Sequence, residues 1–361
     1  MAPGLLFEAL VRAVLLTLLL MCLGWAPLAE GQELRIGYNQ GWIDGSYGHD
    51  LTDRFDAGAW ARILRRTRTG GGSVVRIWLL EGKAKEGVIW DGHRPAGVDP
   101  ALLSNLRALI AMAETERVQI YWALLDGNWP EHWAKGVDSE RQFNVLNDRF
   151  GYGTEFRERV LAPILQVLGE RPQVNYAFDM LNEVQGGVSA GFWPDGWRGA
   201  RRFMAETSAF VRAHAPALKV TASSGHHTAA WDLLRGRFDR VGLDFYDVHV
   251  YSDTGKIRYG WFLARHARRK GLPIVLGEFG QASKSVDPAL QARVVRRSLA
   301  DAKRLGFAAA LAWRLEDEQA HDLRFSFYDG AQARPALQTM REAAGLPPLA
   351  SSGLTGAISG P

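Results

Sequence analysis

Glu183 and Glu278 are the two residues of this sequence whose chemistry most needs explaining. Each closes a hydrophobic run: NYAFDML leads into Asn182-Glu183, and PIVLG leads into Glu278. An ionised carboxylate beside buried apolar residues is costly unless it has a partner or a task. Two carboxylates that flank one bound group can break a glycosidic bond. One protonates the leaving oxygen, and the other attacks the sugar carbon or activates a water. Further reactive types stand on or after other hydrophobic runs. Arg76 and Trp78 lie two apart in VVRIWLL, so a strand would put them on one face. Asp247, His249 and Tyr251 share one parity in DVHVY, and Trp313-Arg314 closes FAAALAW. Asp126, Asn128 and Trp129 follow VQIYWALL, and Ser223-Ser224-Gly225-His226-His227 ends another run.

Such residues act together only if a scaffold gathers the ends of many strands. Eight β-rich runs recur, at 34–38, 74–80, 118–124, 174–181, 218–222, 245–251, 273–279 and 307–313. Helical stretches alternate with them. The stretch 56–68 has Ala57, Trp60, Ala61 and Leu64 on one face and Arg62, Arg65 and Arg66 on the other. Asp99-Pro100 and Asp287-Pro288 start helices with Pro at the first helical position. Other helices are expected at 154–168, 195–214, 227–234, 257–270 and 331–344. Several strands are apolar on both faces, as in a parallel sheet covered by helices. Strand–helix alternation repeated in this way predicts a single-domain (β/α)8 TIM barrel. An open nucleotide-binding sheet would want a glycine-rich phosphate loop after its first strand. Here that place reads Asn39-Gln40-Gly41-Trp42-Ile43-Asp44-Gly45. In a barrel, strands 4 and 7 face each other across the mouth, where functional residues collect. The connections 81–98, 126–151 and 185–196 are long for strand–helix loops and are expected to wall a cleft.

The ordered set resembles clan A of the glycoside hydrolases, and most of all the cellulase-type family 5. Asn182-Glu183 after strand 4 matches the clan's Asn-Glu, whose Glu is the acid/base. Glu278 in IVLGEFG matches the nucleophile on strand 7, and Arg76 matches the arginine beneath it. His249 and Tyr251 match the His-x-Tyr of strand 6, and Trp313 matches the sugar-platform Trp of strand 8. The family's His near the end of strand 3 is missing from WALLDGNW. The resemblance implies a retaining hydrolase of a β-linked glycan, of glucan or mannan type, working by double displacement. A transglycosylase on the same scaffold, a non-catalytic glycan-binding barrel and a metal-dependent barrel hydrolase are the alternatives.

With those roles, each neighbour has a physical duty. Arg76 beside Glu278 would favour its ionised form. Glu183 must hold a proton, which burial or a second carboxylate promotes. Asn182 can bond a sugar 2-hydroxyl, and Tyr251 can donate to the nucleophile. Asn182 and Glu183 are adjacent, so an unbroken strand would point them to opposite faces. Both serve one site only if the chain bends there. Trp42, Trp78, Trp129, Trp193, Trp197 and Trp313 lie near strand ends, and indole stacks on the C–H faces of sugars. Trp42, Trp129 and Trp313 are the expected substrate contacts. His226 and His227 are adjacent and make a poor metal pair, so neither metal nor cofactor is expected.

Composition bounds the setting. The 361 residues are 47% hydrophobic and 23% charged, which excludes wholesale disorder. Lys+Arg 43 against Asp+Glu 39 gives a formal charge of +4, too diffuse for a nucleic-acid partner. Cys22 is the one Cys and lies in the apolar stretch AVLLTLLLMCL, after Arg12 and before Gly24, Ala26, Pro27, Ala29 and Gly31. That is the layout of a secretory signal peptide. A bilayer span needs about 20 apolar residues, so no stable membrane insertion is expected. The expected organisation is a signal peptide over 1–31, the barrel over 32–346 and a flexible tail over 347–361. The mature chain would be a Cys-free monomer, periplasmic or secreted, whose partner is its β-linked oligo- or polysaccharide.

Overall fold

Eight parallel strands build the frame: β1 Arg35–Asn39, β2 Val74–Trp78, β3 Gln119–Ala123, β4 Asn175–Asp179, β5 in two pieces (Val220–Thr221 and Ser223–Ser224), β6 Tyr246–His249, β7 Ile274–Phe279 and β8 Ala309–Ala312. Around the sheet they run β5, β4, β3, β2, β1, β8, β7, β6 and back to β5. The first piece of β5 pairs with β4 and the second with β6. Ala222 is therefore where the strand leaves one neighbour for the other, and the sheet closes on itself. This computed structural model describes residues 33–43, 51–80, 87–127, 137–281, 287–317 and 325–349. The barrel unit begins at Leu34.

The expected (β/α)8 architecture is what forms, and the sequence shows why. Asp56 accepts from the Ala59 N–H at 3.0 Å and caps the helix Ala57–Thr69, whose Trp60, Ile63 and Leu64 are buried. Asp99 and Asp287 cap Pro100–Glu116 and Pro288–Leu305 in the same way, at 2.8 and 2.9 Å. The main apolar core fills the space between sheet and helices. A second, smaller apolar plug fills the barrel itself: Val74, Tyr121, Ala177, Phe245, Val275, Ala309 and Leu311.

The three long connections are not plain loops. The first carries an antiparallel hairpin, Val88–Asp91 with Arg94–Val98, turning through Gly92-His93 with Gly92 at φ 59°. The others carry the helices Val137–Leu146 and Val184–Ser189. At the other end, the chain past the helix Pro335–Ala343 is tied back as far as Leu349, whose N–H donates to Gln338 at 3.3 Å. The expected signal peptide and residues 350–361 of the expected tail lie outside the described residues.

Candidate active site

Two residues beyond the apolar plug, the inward-facing positions turn polar. Arg76 follows Val74, Asp179 follows Ala177, Asp247 follows Phe245, and Asn39 stands at the same level on β1; all four are buried. Arg76 is the centre of this layer. Its guanidinium donates to Asp179 at 2.6 Å, Glu278 at 2.7 Å, Asn182 Oδ1 at 2.7 Å and Asn39 Oδ1 at 3.3 Å. It also lies over the rings of Trp78 and Tyr121, at 4.4 and 5.3 Å. Burial opposes its charge, but Asp179 and Glu278 outweigh burial and drive its pKa up.

The bend required by Asn182-Glu183 is present. β4 stops at Asp179, and Asn182 forms an isolated parallel bridge with Asp126. Glu183 then takes a left-handed backbone, φ 48° and ψ 61°, and its N–H donates to Ser223 Oγ at 3.0 Å. A non-glycine residue held there costs on the order of 1 kcal/mol. The turn brings both neighbours inward. Asn182 accepts from Arg76 and donates to Asp126 Oδ1 at 2.8 Å. Glu183 reaches His249 Nδ1 at 2.8 Å through Oε1, and its Oε2 lies 3.6 Å from His226 Nε2.

Glu278 is aimed by a register shift in β7. The ladder with β6 slips between Leu276 and Glu278. Gly277 sits at that slip, and a Cβ on it would lie 2.0 Å from an Asp247 oxygen. Glu278 is 5% exposed. One oxygen receives Arg76, and the other receives the Tyr251 hydroxyl at 2.7 Å. The Tyr251 ring remains half exposed, while its hydroxyl turns in to the carboxylate. His249 Nδ1 stands 3.5 Å from Glu278, so the imidazole lies between the two glutamates. Glu183, His249 and Glu278 each offer an atom within 4.8 Å of the others.

The electrostatics departs from the expected picture at one point. The Arg76–Glu278 contact forms, yet burial pushes the Glu278 carboxyl up from the ordinary glutamate range. His249, Arg76 and the Tyr251 hydroxyl pull it back, and Glu183 pushes it further up. Arg76 does not win because burial is the larger influence. Burial would lower the His249 pKa, but Glu278, Glu183 and Asp247 outweigh it and raise it to about 9. Burial also raises Asp247, which accepts from the Tyr121 hydroxyl. His249 is thus cationic near neutral pH.

Of the aromatic positions, Trp313 follows β8 directly and is half-buried. Trp42 and Trp78 meet it edge-on, at 5.6 and 5.5 Å. Trp42 is 8% exposed, so it offers a sugar little surface and braces Trp313. Trp193 packs on Phe203 and Phe192, and Trp197 packs on Phe238. Trp129 and Asn128 lie outside the described residues. Asn39 and Asp179 were not among the expected site residues, although both hold Arg76. Asp179, an acid inside an apolar run at the parity of Ala177, was the available signal. Among the described residues, Glu183, His249 and Glu278 form a possible metal-ligand group. Arg76 already donates to Glu278, and His249 Nδ1 lies against Glu183.

No protein-family model matches the chain. In sequence it is similar to a mannan endo-1,4-beta-mannosidase of Mytilus edulis, 23% identical over 288 residues, which are 68% of this chain and 75% of that protein. Its fold is shared with the beta-mannanase structure from Mytilus edulis, with TM-score 0.64 and 19% identity over 86% of this chain and 92% of that one. It is shared also with an endo-1,4-beta-mannanase of Eisenia fetida, with TM-score 0.66 and 18% identity over 88% and 92% of the two chains. A GH5_18 protein of Streptomyces cattleya in complex with GlcNAc gives TM-score 0.66 and 17% identity over 88% and 80%.

Proposed function

We propose that this chain, similar in fold to β-mannanases and with strand-end residues that resemble those of glycoside hydrolase family 5, is itself a retaining β-glycoside hydrolase acting on a β-linked glycan of mannan type. The observation that carries the reading is that Glu183 and Glu278 converge on one imidazole, with His249 Nδ1 2.8 Å from the first and 3.5 Å from the second. Retaining pairs stand about 5–5.5 Å apart, whereas inverting pairs need roughly 6.5–9.5 Å to admit a water.

In the first step Glu278 attacks the anomeric carbon while Glu183 gives its proton to the leaving oxygen. Glu278 must be ionised to attack. Arg76, Tyr251 and His249 supply the donors that favour the anion. In the second step Glu183 takes a proton from water, which attacks the glycosyl–Glu278 ester and regenerates Glu278. Two inversions leave the β configuration. Asn182 is fixed by Arg76 and Asp126, and its second amide hydrogen is free to meet the sugar 2-hydroxyl. Trp313, braced by Trp42 and Trp78, offers the stacking face.

Proton NMR of the first product released from a mannan or an aryl β-mannoside tests the reading. The β-anomer should appear first; the α-anomer first would remove Glu278 from the role of nucleophile. Adding an acceptor sugar separates hydrolysis from transglycosylation. The same proposal includes export, since the apolar stretch at 13–23 has signal-peptide length. N-terminal sequencing of the exported protein should begin near Gln32. Among the described residues no helix is long and apolar enough to cross a membrane.

A further inference from the structure

Beside the glutamates, on the same rim, lies a second concavity of about 630 Å³. The hairpin after β2, the segment after β3 and the loop after β4 enclose it. None of Arg76, Glu183, His249 or Glu278 lines it. Its wall is nonetheless continuous with the site. Gln142 donates to the Asp126 carbonyl at 3.5 Å, and the Asp126 carboxylate holds Asn182. The next residue, Phe143, is part of the lining. The walls are fixed to each other: Arg94 of the hairpin forks onto Glu155 through two 2.7 Å hydrogen bonds.

Phe150 is the telling residue. It has a left-handed backbone, φ 58°, and is 74% exposed. A bulky L residue held there costs about 1–3 kcal/mol, and an exposed ring regains little by burial. Neither folding nor packing therefore explains a Phe at this position. The turn is locked in place regardless. Asp148, itself at φ 49°, accepts from the Thr154 N–H at 2.8 Å and its hydroxyl at 2.9 Å. The ring is held on show, 5.6 Å from Tyr152, and the Arg149 guanidinium lies between it and Phe143, at 5.2 and 5.6 Å. Glu140 and His93 supply polar ends across the cleft, 3.6 Å apart.

Presented aromatic faces edged by hydrogen-bonding groups fit pyranose rings, which carry C–H faces and equatorial hydroxyls. The lining carries one carboxylate, Glu140, and one guanidinium, Arg149, which suits a neutral chain better than a polyanion. We infer that this cleft is a second glycan-binding site, which takes neutral β-linked sugar units of the substrate chain away from the bond that is cut. The inference rests on the glycosidase reading for the identity of the chain it binds.

The test is calorimetric titration of manno-oligosaccharides of increasing length into Glu278→Gln protein, which needs no turnover, with and without Phe150→Gly. Glycine relieves the left-handed backbone, so the melting temperature of Phe150→Gly should equal or exceed that of its parent. Its affinity for long chains should fall roughly tenfold, with that for a disaccharide unchanged. Phe150→Tyr should keep the long-chain affinity. Long-chain affinity preserved in Phe150→Gly would overturn the inference, as would a loss accompanied by a clear drop in melting temperature. Binding that depends on Phe150 in a protein whose wild type turns over no β-glycoside would sink the glycosidase reading and leave the cleft standing.

Discussion

The carboxyl group of Glu183 rests against the bare Cα of Gly225: a Cβ there would lie 2.1 Å from both its carboxyl carbon and Oε1. The clash is with the end of a flexible side chain, so Gly225→Ala should fold. Glu183 must then swing away from His249. We expect kcat to fall about 10²-fold, the scale of a misplacement near 1 Å, with the melting temperature within a few degrees of wild type. Wild-type kcat in this variant would show that the seat against Gly225 does not position the acid.

Glu278→Ala removes the attacking oxygen and should lower turnover by on the order of 10⁴-fold. Azide can enter the vacated space and attack an activated aryl glycoside directly, giving the α-azide. Rescue by azide with a β-azide product would point to a different nucleophile.

Tyr251→Phe keeps the ring and deletes the hydrogen bond to Glu278. A hydrogen bond to a charged group is worth about 1.5–3 kcal/mol, so activity should fall roughly 10- to 10²-fold. The hydroxyl lowers the Glu278 pKa, so its loss should move the acid limb of kcat/KM to higher pH. An acid limb that stays in place would deny the hydroxyl that duty.

His249 links the site to stability. Its pKa is raised to about 9 in the fold, against about 6.5 in the unfolded chain. Its contribution is therefore complete below about pH 6.5 and is lost as pH rises toward 9. The shift corresponds to on the order of 3 kcal/mol. Unfolding free energy should fall over that window in wild type and fall much less in His249→Asn. Parallel pH profiles for the two proteins would contradict the assignment.

Much of this was readable beforehand, for physical reasons. Parallel strands buried on both faces leave apolar runs that end where Arg76, Asn182, Glu183, His249, Tyr251 and Glu278 stand, and the structure gathers all six. The bend that turns Glu183 inward was only a requirement of adjacency, because nothing in Asn-Glu announces a left-handed backbone. Trp42 read as a sugar contact because it follows β1; it packs against Trp78 and Trp313, which flank it in space but lie far off in sequence. The seat against Gly225 was hidden for the same reason: it joins strand ends 42 positions apart. The hairpin at 88–98 carried its signal in Asp91-Gly92, within a stretch expected to be loop.

The split in β5 has a consequence for how the barrel breathes. Each half makes only a two-residue ladder, whereas β2 and β3 share five paired positions. The ring is thinnest at Ala222, and amide protons there should exchange with solvent sooner than those of β2. Asp179 ties this seam to the site: it accepts the Ser223 N–H at 3.0 Å through one oxygen and grips Arg76 through the other. Whatever tightens the grip on Arg76 also draws the seam shut. A glycan seated on Glu278 and Asn182 should accordingly slow exchange at Ser223, making the closure of the cylinder itself a reporter of occupancy.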